Sequence, residues 1–66
     1  MDKNIIKKIR HTALLTQTEF ARELGVFLTT IQKWEQGQRN PSFKHQRKIL
    51  EFCKKDEIDI EKMKEE

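Results

Sequence analysis

The stretch TQTEFARELGVFLTTIQKWEQG, residues 16–37, has the pattern of two short helices joined by a turn. Thr16 and Glu19 have the spacing of a capping box, which predicts that a helix begins at Gln17. Gly25 predicts the end of that helix, because glycine adopts the left-handed conformation of a helix C-terminus without a steric clash. A tight turn at this glycine therefore separates two short helices.

The second of these helices is predicted over residues 27–36, and Gly37 predicts its end. Ile31 and Trp34 lie three positions apart on one face, so we expect both in the core, with Trp34 as a core residue rather than an exposed stacking platform. The other face is polar. Such a pair is the layout of a helix-turn-helix, which places its second helix in the major groove of DNA.

Three further helices are predicted around this pair, which makes the fold class all-α. They cover about residues 3–12, a stretch from the capping residue Ser42 to about Lys54, and a short C-terminal segment within residues 58–66 that Asp59 caps. Their expected inner faces are Ile5, Ile6, Ile9 and Ala13 in the first helix and Ile49, Leu50 and Cys53 in the fourth.

The charge is unevenly distributed along the chain, whose 66 residues are expected to form one domain. Residues 1–55 hold 12 Lys and Arg against 5 Asp and Glu, whereas residues 56–66 hold 2 against 6. A basic body indicates a polyanionic partner. We expect the acidic C-terminal tail, residues 56–66, to be solvated.

Residue sets for catalysis or metal binding are missing from the sequence. The single cysteine, Cys53, excludes an internal disulfide and is expected in the core. His11 and His45 lack ligand spacing, so neither a metal nor another cofactor is expected. Without a nucleophile–base pair or a glycine-rich phosphate loop, an enzyme is not expected. The sequence has no apolar run that could cross a membrane, so the expected location is the cytoplasm, on the nucleoid.

Residues 9–42 resemble the helix-turn-helix of the phage repressor/Cro type, also called the XRE family. The resemblance implies a compact four- to five-helix lambda-repressor-like bundle and binding of operator DNA, mostly as a two-fold dimer. The matching pieces are Ile9-Arg10, Leu15-Thr16-Gln17-x-Glu19-Phe20-Ala21, Gly25-Val26, Thr30-Ile31-x-x-Trp34-Glu35-x-Gly37 and Asn40-Pro41-Ser42.

The resemblance also implies roles for individual residues. An ion pair between Arg10 and Glu35 would tie the first helix to the third. The expected contacts to DNA fall into two kinds, those that position the protein and those that read sequence. The backbone contacts would be Gln17, Thr18, Arg39, Asn40 and Lys44, and the base contacts would be Leu28, Thr29, Gln32 and Lys33.

Two departures from the family pattern stand out. Phe27 and Leu28 occupy positions where a small polar N-cap and a polar base reader are usual. They could contact thymine methyl groups, wedge a base step or bind a protein partner, and we expect Phe27 to fold back onto the core. Leu14 stands where glycine is frequent, which predicts a different turn at the end of the first helix.

The leading functional hypothesis is a sequence-specific transcriptional regulator, repressor-like, of bacterial, phage or mobile-element origin, that binds double-stranded DNA. The alternative is a protein-interaction module or antitoxin-type partner protein on the same scaffold, anchored by Phe27 and Leu28. A homodimer would form through the fourth helix or residues 58–66, either in solution or only on DNA.

Overall fold

The computed structural model describes residues 1–64, and that range contains five α-helices and no strand, as predicted. The helices are α1 (Lys3–Thr12), α2 (Gln17–Leu24), α3 (Leu28–Gln36), α4 (Phe43–Lys55) and α5 (Ile60–Lys64). Glu65 and Glu66, the end of the predicted acidic tail, lie outside the described residues. No helix in the described range is both long and apolar enough to cross a membrane.

Four of the five helices, α3 excepted, begin after a residue whose side chain accepts a backbone N–H of the first turn. In the capping box of α2, the Glu19 N–H donates to Thr16 Oγ1 (3.1 Å) and the Thr16 N–H donates to Glu19 Oε1 (2.9 Å). Asp2, Ser42 and Asp59 likewise accept backbone N–H groups from the first turns of α1, α4 and α5. The predicted caps at Thr16, Ser42 and Asp59 are therefore confirmed.

A residue with positive φ follows each of the first four helices. Two of the four are the predicted glycines, Gly25 (φ 69°) and Gly37 (φ 78°), and two are not glycine, Leu14 (φ 59°) and Glu57 (φ 57°). At all four ends the backbone N–H groups of this residue and the next one donate to carbonyls of the last turn. This is the Schellman arrangement, which satisfies carbonyl groups that the helix itself leaves without a partner.

The expectation that Leu14 would change the turn after α1 is wrong. The Leu14 N–H donates to His11 O (3.0 Å) and the Leu15 N–H donates to Arg10 O (3.1 Å), the same pair of bonds that ends α2 and α3. The chain thus keeps the turn that glycine favours and places a leucine in it, with a side chain that is 89% exposed. The hydrogen bonds and the onward path to α2 outweigh the steric cost of the left-handed leucine.

One core joins all five helices. The edge-to-face contact of Phe20 with Phe52, whose ring centroids lie 5.4 Å apart, connects α2 to α4. Cys53 lies in this core, as predicted. The buried apolar side chains are Ile6, Ile9, Phe20, Ala21, Leu24, Ile31, Trp34, Ile49, Phe52, Cys53 and Ile60.

The predicted inner face of α4 is wrong at one position. Leu50 is 50% exposed, and Phe52 is buried in its place, beside Ile49 and Cys53. The helical period explains the difference, because residues three and four positions after Ile49 share its face, whereas the next residue is rotated by about 100°.

Candidate nucleic-acid interface

The turn between α2 and α3 is held by side chains from both helices. Phe20, Ala21 and Leu24 of α2 are buried in the same cluster as Ile31 and Trp34 of α3. Val26, in the turn, is partly buried against that cluster. The two helices therefore form a rigid unit, which a helix needs if its outer face is to meet base edges in register.

Helix α3 has one buried face and one face toward solvent. Ile31, Trp34 and Glu35 are buried. Gln32 is half-buried, and its neighbour Lys33 is exposed. The structure places all the sequence-predicted base contacts on the outward face, where they succeed one another along the helix: Leu28, Thr29, Gln32 and Lys33.

Arg10 and Glu35 form an ion pair with two parallel hydrogen bonds. Arg10 Nε donates to Glu35 Oε2 (2.7 Å) and Arg10 Nη2 donates to Oε1 (2.9 Å). Arg10 Nη1 also donates to the carbonyl oxygen of Leu15 (3.0 Å), at the entrance to α2. One guanidinium thus fixes α1, the α1–α2 turn and α3 relative to one another. The planar fork of arginine suits this geometry.

The pKa of the Glu35 carboxyl is lowered in the folded protein. Burial alone would raise this pKa, because it disfavours the charged form. The hydrogen bonds from Arg10 and Gln17, together with the positive charges of Arg10 and Lys7, outweigh the effect of burial. Glu35 is therefore an ionised acceptor that orients the groups around it.

Gln17, a predicted contact to the DNA backbone, is turned toward this ion pair. Its Nε2 donates to Glu35 Oε1 (3.1 Å), and its side chain is half-buried. Thr18 follows it and is exposed. Both residues lie in the first turn of α2, where backbone N–H groups lack helical partners and favour a nearby anion.

The structure brings one predicted base contact, Lys33, close to two predicted backbone contacts, Arg39 and Asn40. They line one concavity of about 330 Å³ between α3, the loop after it and the start of α4. Lys44 is exposed in the first turn of α4 and does not line it. We call this the cationic concavity; its other lining residues are Thr30, Trp34, Ser42 and His45.

His45 is the residue of this surface that the sequence analysis missed. Its ring contacts Trp34 edge to face, with centroids 5.4 Å apart, and its Nδ1 lies 3.0 Å from Ser42 Oγ. It thereby joins the start of α4 to the core side of α3. The spacing Ser42-x-x-His45, from the cap to the third helical position, is the signal that could have indicated it.

The expectation that Phe27 folds back onto the core is wrong. Its side chain is 80% exposed. Val26 already packs against the core from the turn. Phe27 has an extended backbone (φ −75°, ψ 149°), and successive side chains of an extended segment point to opposite sides. The ring therefore points outward, next to Leu28, which is 38% exposed.

Comparison with known proteins agrees with this geometry. The model of the helix-turn-helix family matches residues 6–60, which is most of the chain. No curated protein and no solved structure matches the chain significantly. Within residues 1–64, no group of His, Cys, Asp and Glu side chains is arranged to hold a metal ion. The chain belongs to the helix-turn-helix family of the Cro/C1 type, the XRE family, whose members are DNA-binding regulators.

Proposed function

We propose that this protein is a sequence-specific, repressor-like transcriptional regulator of bacterial, phage or mobile-element origin, with α3 lying in the major groove. The observation that carries the proposal is the two-sided character of α3. Ile31, Trp34 and the Arg10–Glu35 ion pair hold one face, while the other face is open to solvent. A helix fixed in this way presents its outer side chains in a defined orientation to base edges.

The chemistry of the outer face suits base readout. The Gln32 amide can form two hydrogen bonds with adenine, and the Lys33 ammonium can donate to guanine. Thr29 can donate to or accept from a base and can pack its methyl group on thymine. Leu28 adds an apolar contact. These four residues are the proposed base contacts.

The proposed contacts to the DNA backbone lie on both sides of α3. Gln17 and Thr18 offer the first-turn amides of α2 to a phosphate. Arg39 and Asn40 lie in the loop after α3, and Lys44 follows in the first turn of α4. Such contacts set affinity and register rather than sequence preference.

Selection of binding sites from a random duplex library, at two salt concentrations, tests the proposal directly. A sequence-specific regulator enriches a defined motif at both concentrations. Higher salt weakens the contribution of the phosphate contacts, which comes from counterion release, but leaves the contacts to the bases in place. A lack of enrichment, with binding that vanishes as the salt concentration rises, would overturn the proposal, since that is attraction to any polyanion.

The same selection tests a two-fold dimer, which we propose forms on DNA through α4. Helix α4 has an exposed apolar side chain, Leu50, that a second copy could cover. In α5, by contrast, the apolar side chain of Ile60 is buried in the core of its own chain. Two half-sites related by two-fold symmetry, with centres about 34 Å apart, are expected for such a dimer. An asymmetric motif would contradict the dimer and indicate a monomer.

A second candidate function follows from the exposure of Phe27 and Leu28. Two neighbouring apolar side chains on a surface suit a protein-interaction module or an antitoxin-type partner protein. If Leu28→Ala weakens a complex with a protein partner and leaves DNA binding unchanged, this second function is favoured over the first.

A further inference from the structure

Phe27 occupies a position where the free protein gains little from it. It is the N-cap residue of α3, yet its side chain makes no capping hydrogen bond. Ser, Thr, Asp or Asn at an N-cap stabilises a helix by about 1 kcal/mol relative to a residue that cannot cap. The ring is also exposed, so it contributes little to the core. A residue that neither caps nor packs points to a role outside the folding of the monomer.

The surroundings of Phe27 connect it to the proposed DNA surface. Its ring lines a concavity of about 390 Å³, together with Thr30 and His45. These two residues also line the cationic concavity with Lys33 and Arg39. Among the described residues that line the two concavities none is acidic. Phe27, directly before Leu28 at the start of α3, is therefore continuous with the proposed DNA surface.

We infer that Phe27 and Leu28, here called the apolar tip, read the C5-methyl groups of pyrimidines in the major groove. This inference rests on the proposed function, because it requires α3 to lie in the groove. The N-terminal residues of a recognition helix are those that meet base edges. The apolar feature of base edges in that groove is the thymine methyl group, so an apolar tip discriminates by methyl contact.

The inference has a consequence for chemically modified DNA. A methyl group at C5 of cytosine occupies the same place in the groove as the methyl group of thymine. The apolar tip should therefore favour 5-methylcytosine over cytosine at the positions where it favours thymine over uracil. Binding would then respond to cytosine methylation within the operator.

The test uses the full chain and a site obtained from the random-library selection. Each thymine of that site is replaced singly by deoxyuridine. This change removes the C5-methyl group and leaves the base-pairing groups and the major-groove acceptor O4 unchanged. At one or two positions in each half-site the affinity should fall about fourfold, the factor that corresponds to one methyl group leaving an apolar contact. At the same positions, 5-methylcytosine should bind more tightly than cytosine by a similar factor.

Variants of the protein connect this effect to the apolar tip. In Phe27→Ser and in Leu28→Ala the thymine-to-uracil ratio should approach one at the affected positions. Phe27→Ser introduces a capping residue, so its thermal unfolding temperature should be equal to or above that of the wild type. Phe43→Ser is the matched control, because Phe43 is an equally exposed phenylalanine (86%) at the start of α4. It should leave the ratio unchanged.

Two results would overturn the inference without touching the proposed function. The first is specific binding that is insensitive to uracil at every position. The second is a uracil effect that persists in both tip variants. If Phe27→Ser leaves DNA affinity and the ratio unaltered but abolishes binding of a protein partner, the tip is a protein contact instead. A failure of the proposed function would be seen earlier, as an absence of any enriched site.

Discussion

At the scale of single residues, Leu14 and Glu57 show how the chain ends helices without glycine. Both adopt positive φ inside the same hydrogen-bonded turn that Gly25 and Gly37 form. The left-handed conformation brings Cβ of an L-residue close to the following carbonyl oxygen, which costs about 1–2 kcal/mol. The native state therefore carries this cost at two exposed sites.

We predict that Leu14→Gly stabilises the protein by about 0.5–1 kcal/mol, because relief of the left-handed strain exceeds the extra entropy that glycine loses on folding. The Leu14 side chain is 89% exposed, so little packing is lost. Urea unfolding measures the change. His11→Gly, at an exposed helical position of α1, is the control and should lose about 0.3–0.5 kcal/mol, the difference in helix propensity between histidine and glycine. Destabilisation by Leu14→Gly would show that the leucine is held by contacts rather than tolerated.

The lowered pKa of Glu35 predicts a loss of stability in acid. Because the pKa of the folded state lies below that of the unfolded state, the unfolded chain binds more protons between the two values. The stabilisation is thus fully present above the unfolded value, about 4.3, and is lost as the pH falls through the folded value. Glu19 adds an effect of the same sign, since its hydrogen bonds with Thr16 lower its pKa.

Urea unfolding from about pH 7 to about pH 2.5 measures this dependence, and the variant Glu35→Gln isolates one carboxyl. The variant should be less stable at neutral pH, because the Arg10 guanidinium loses its ionised partner, and should depend less on pH than the wild type. Glu51→Gln, at an exposed position of α4, is the matched control for the removal of one carboxylate. Parallel pH profiles for wild type and Glu35→Gln would contradict the role assigned to this ion pair.

At the scale of elements, α3 divides its residues between anchoring and recognition. Its inner residues belong to the core, and its outer residues make no contribution to that core. Substitutions on the outer face should therefore change binding while leaving the fold intact. The loop after α3 belongs to the same surface, through Arg39 and Asn40 in the cationic concavity.

We predict that Gln32→Ala and Lys33→Ala each cost about 1–3 kcal/mol on the selected site and relax its sequence preference. Arg39→Ala should weaken all sequences about equally and lower the slope of log affinity against log salt by about 1. Fluorescence anisotropy titrations on matched and mismatched duplexes measure both effects. Lys62→Ala, on α5, removes an exposed positive charge that lines neither concavity and serves as the control. An equal loss on every sequence for all three variants would argue against base reading by α3.

At the scale of the whole molecule, one core built by five short helices should unfold as a unit. Two probes lie in different helices of that core. Trp34, in α3, reports by fluorescence, and Cys53, in α4, reports by its reactivity toward a thiol reagent. Burial, together with the negative charge of Asp56, raises the pKa of Cys53 to about 11, so the native thiol should react slowly.

We predict that the alkylation rate of Cys53 and the fluorescence of Trp34 change over the same range of urea concentration. The reason is that neither helix buries its apolar face without the other helices of the bundle. Free cysteine at the same pH gives the reference rate. Alkylation that precedes the fluorescence change would show that α4 opens independently of α2 and α3.

The parts of the fold that could be predicted from the sequence are the helix starts and ends. Thr16, Glu19 and Ser42 act on backbone groups within three residues, so their spacing alone indicates a helix start. The glycine stops follow from the same local reasoning. The family match over residues 6–60 also follows from ordered local spacing.

The directions of neighbouring apolar side chains could not be predicted in the same way. Leu50 and Phe52 are both apolar and lie two positions apart; the helical period puts them on different faces, and the packing of α4 on α2 decides that the face with Phe52 meets Phe20. In the turn before α3, Val26 and Phe27 are likewise adjacent and apolar, and only Val26 packs against the core. Composition does not distinguish such neighbours, because each is equally able to fill the core, and the helix orientation selects one of them.

Spacing along a few turns of chain was enough to indicate five helices, the family, the outward face of α3 and three of the caps, Thr16, Ser42 and Asp59. The tertiary structure alone decided that Gln17 binds Glu35, that His45 joins Trp34, and that Lys33 shares a concavity with Arg39. Most of these pairs are separated by ten or more residues of chain. Their contacts depend on how the helices pack, and no local pattern encodes a distance between helices.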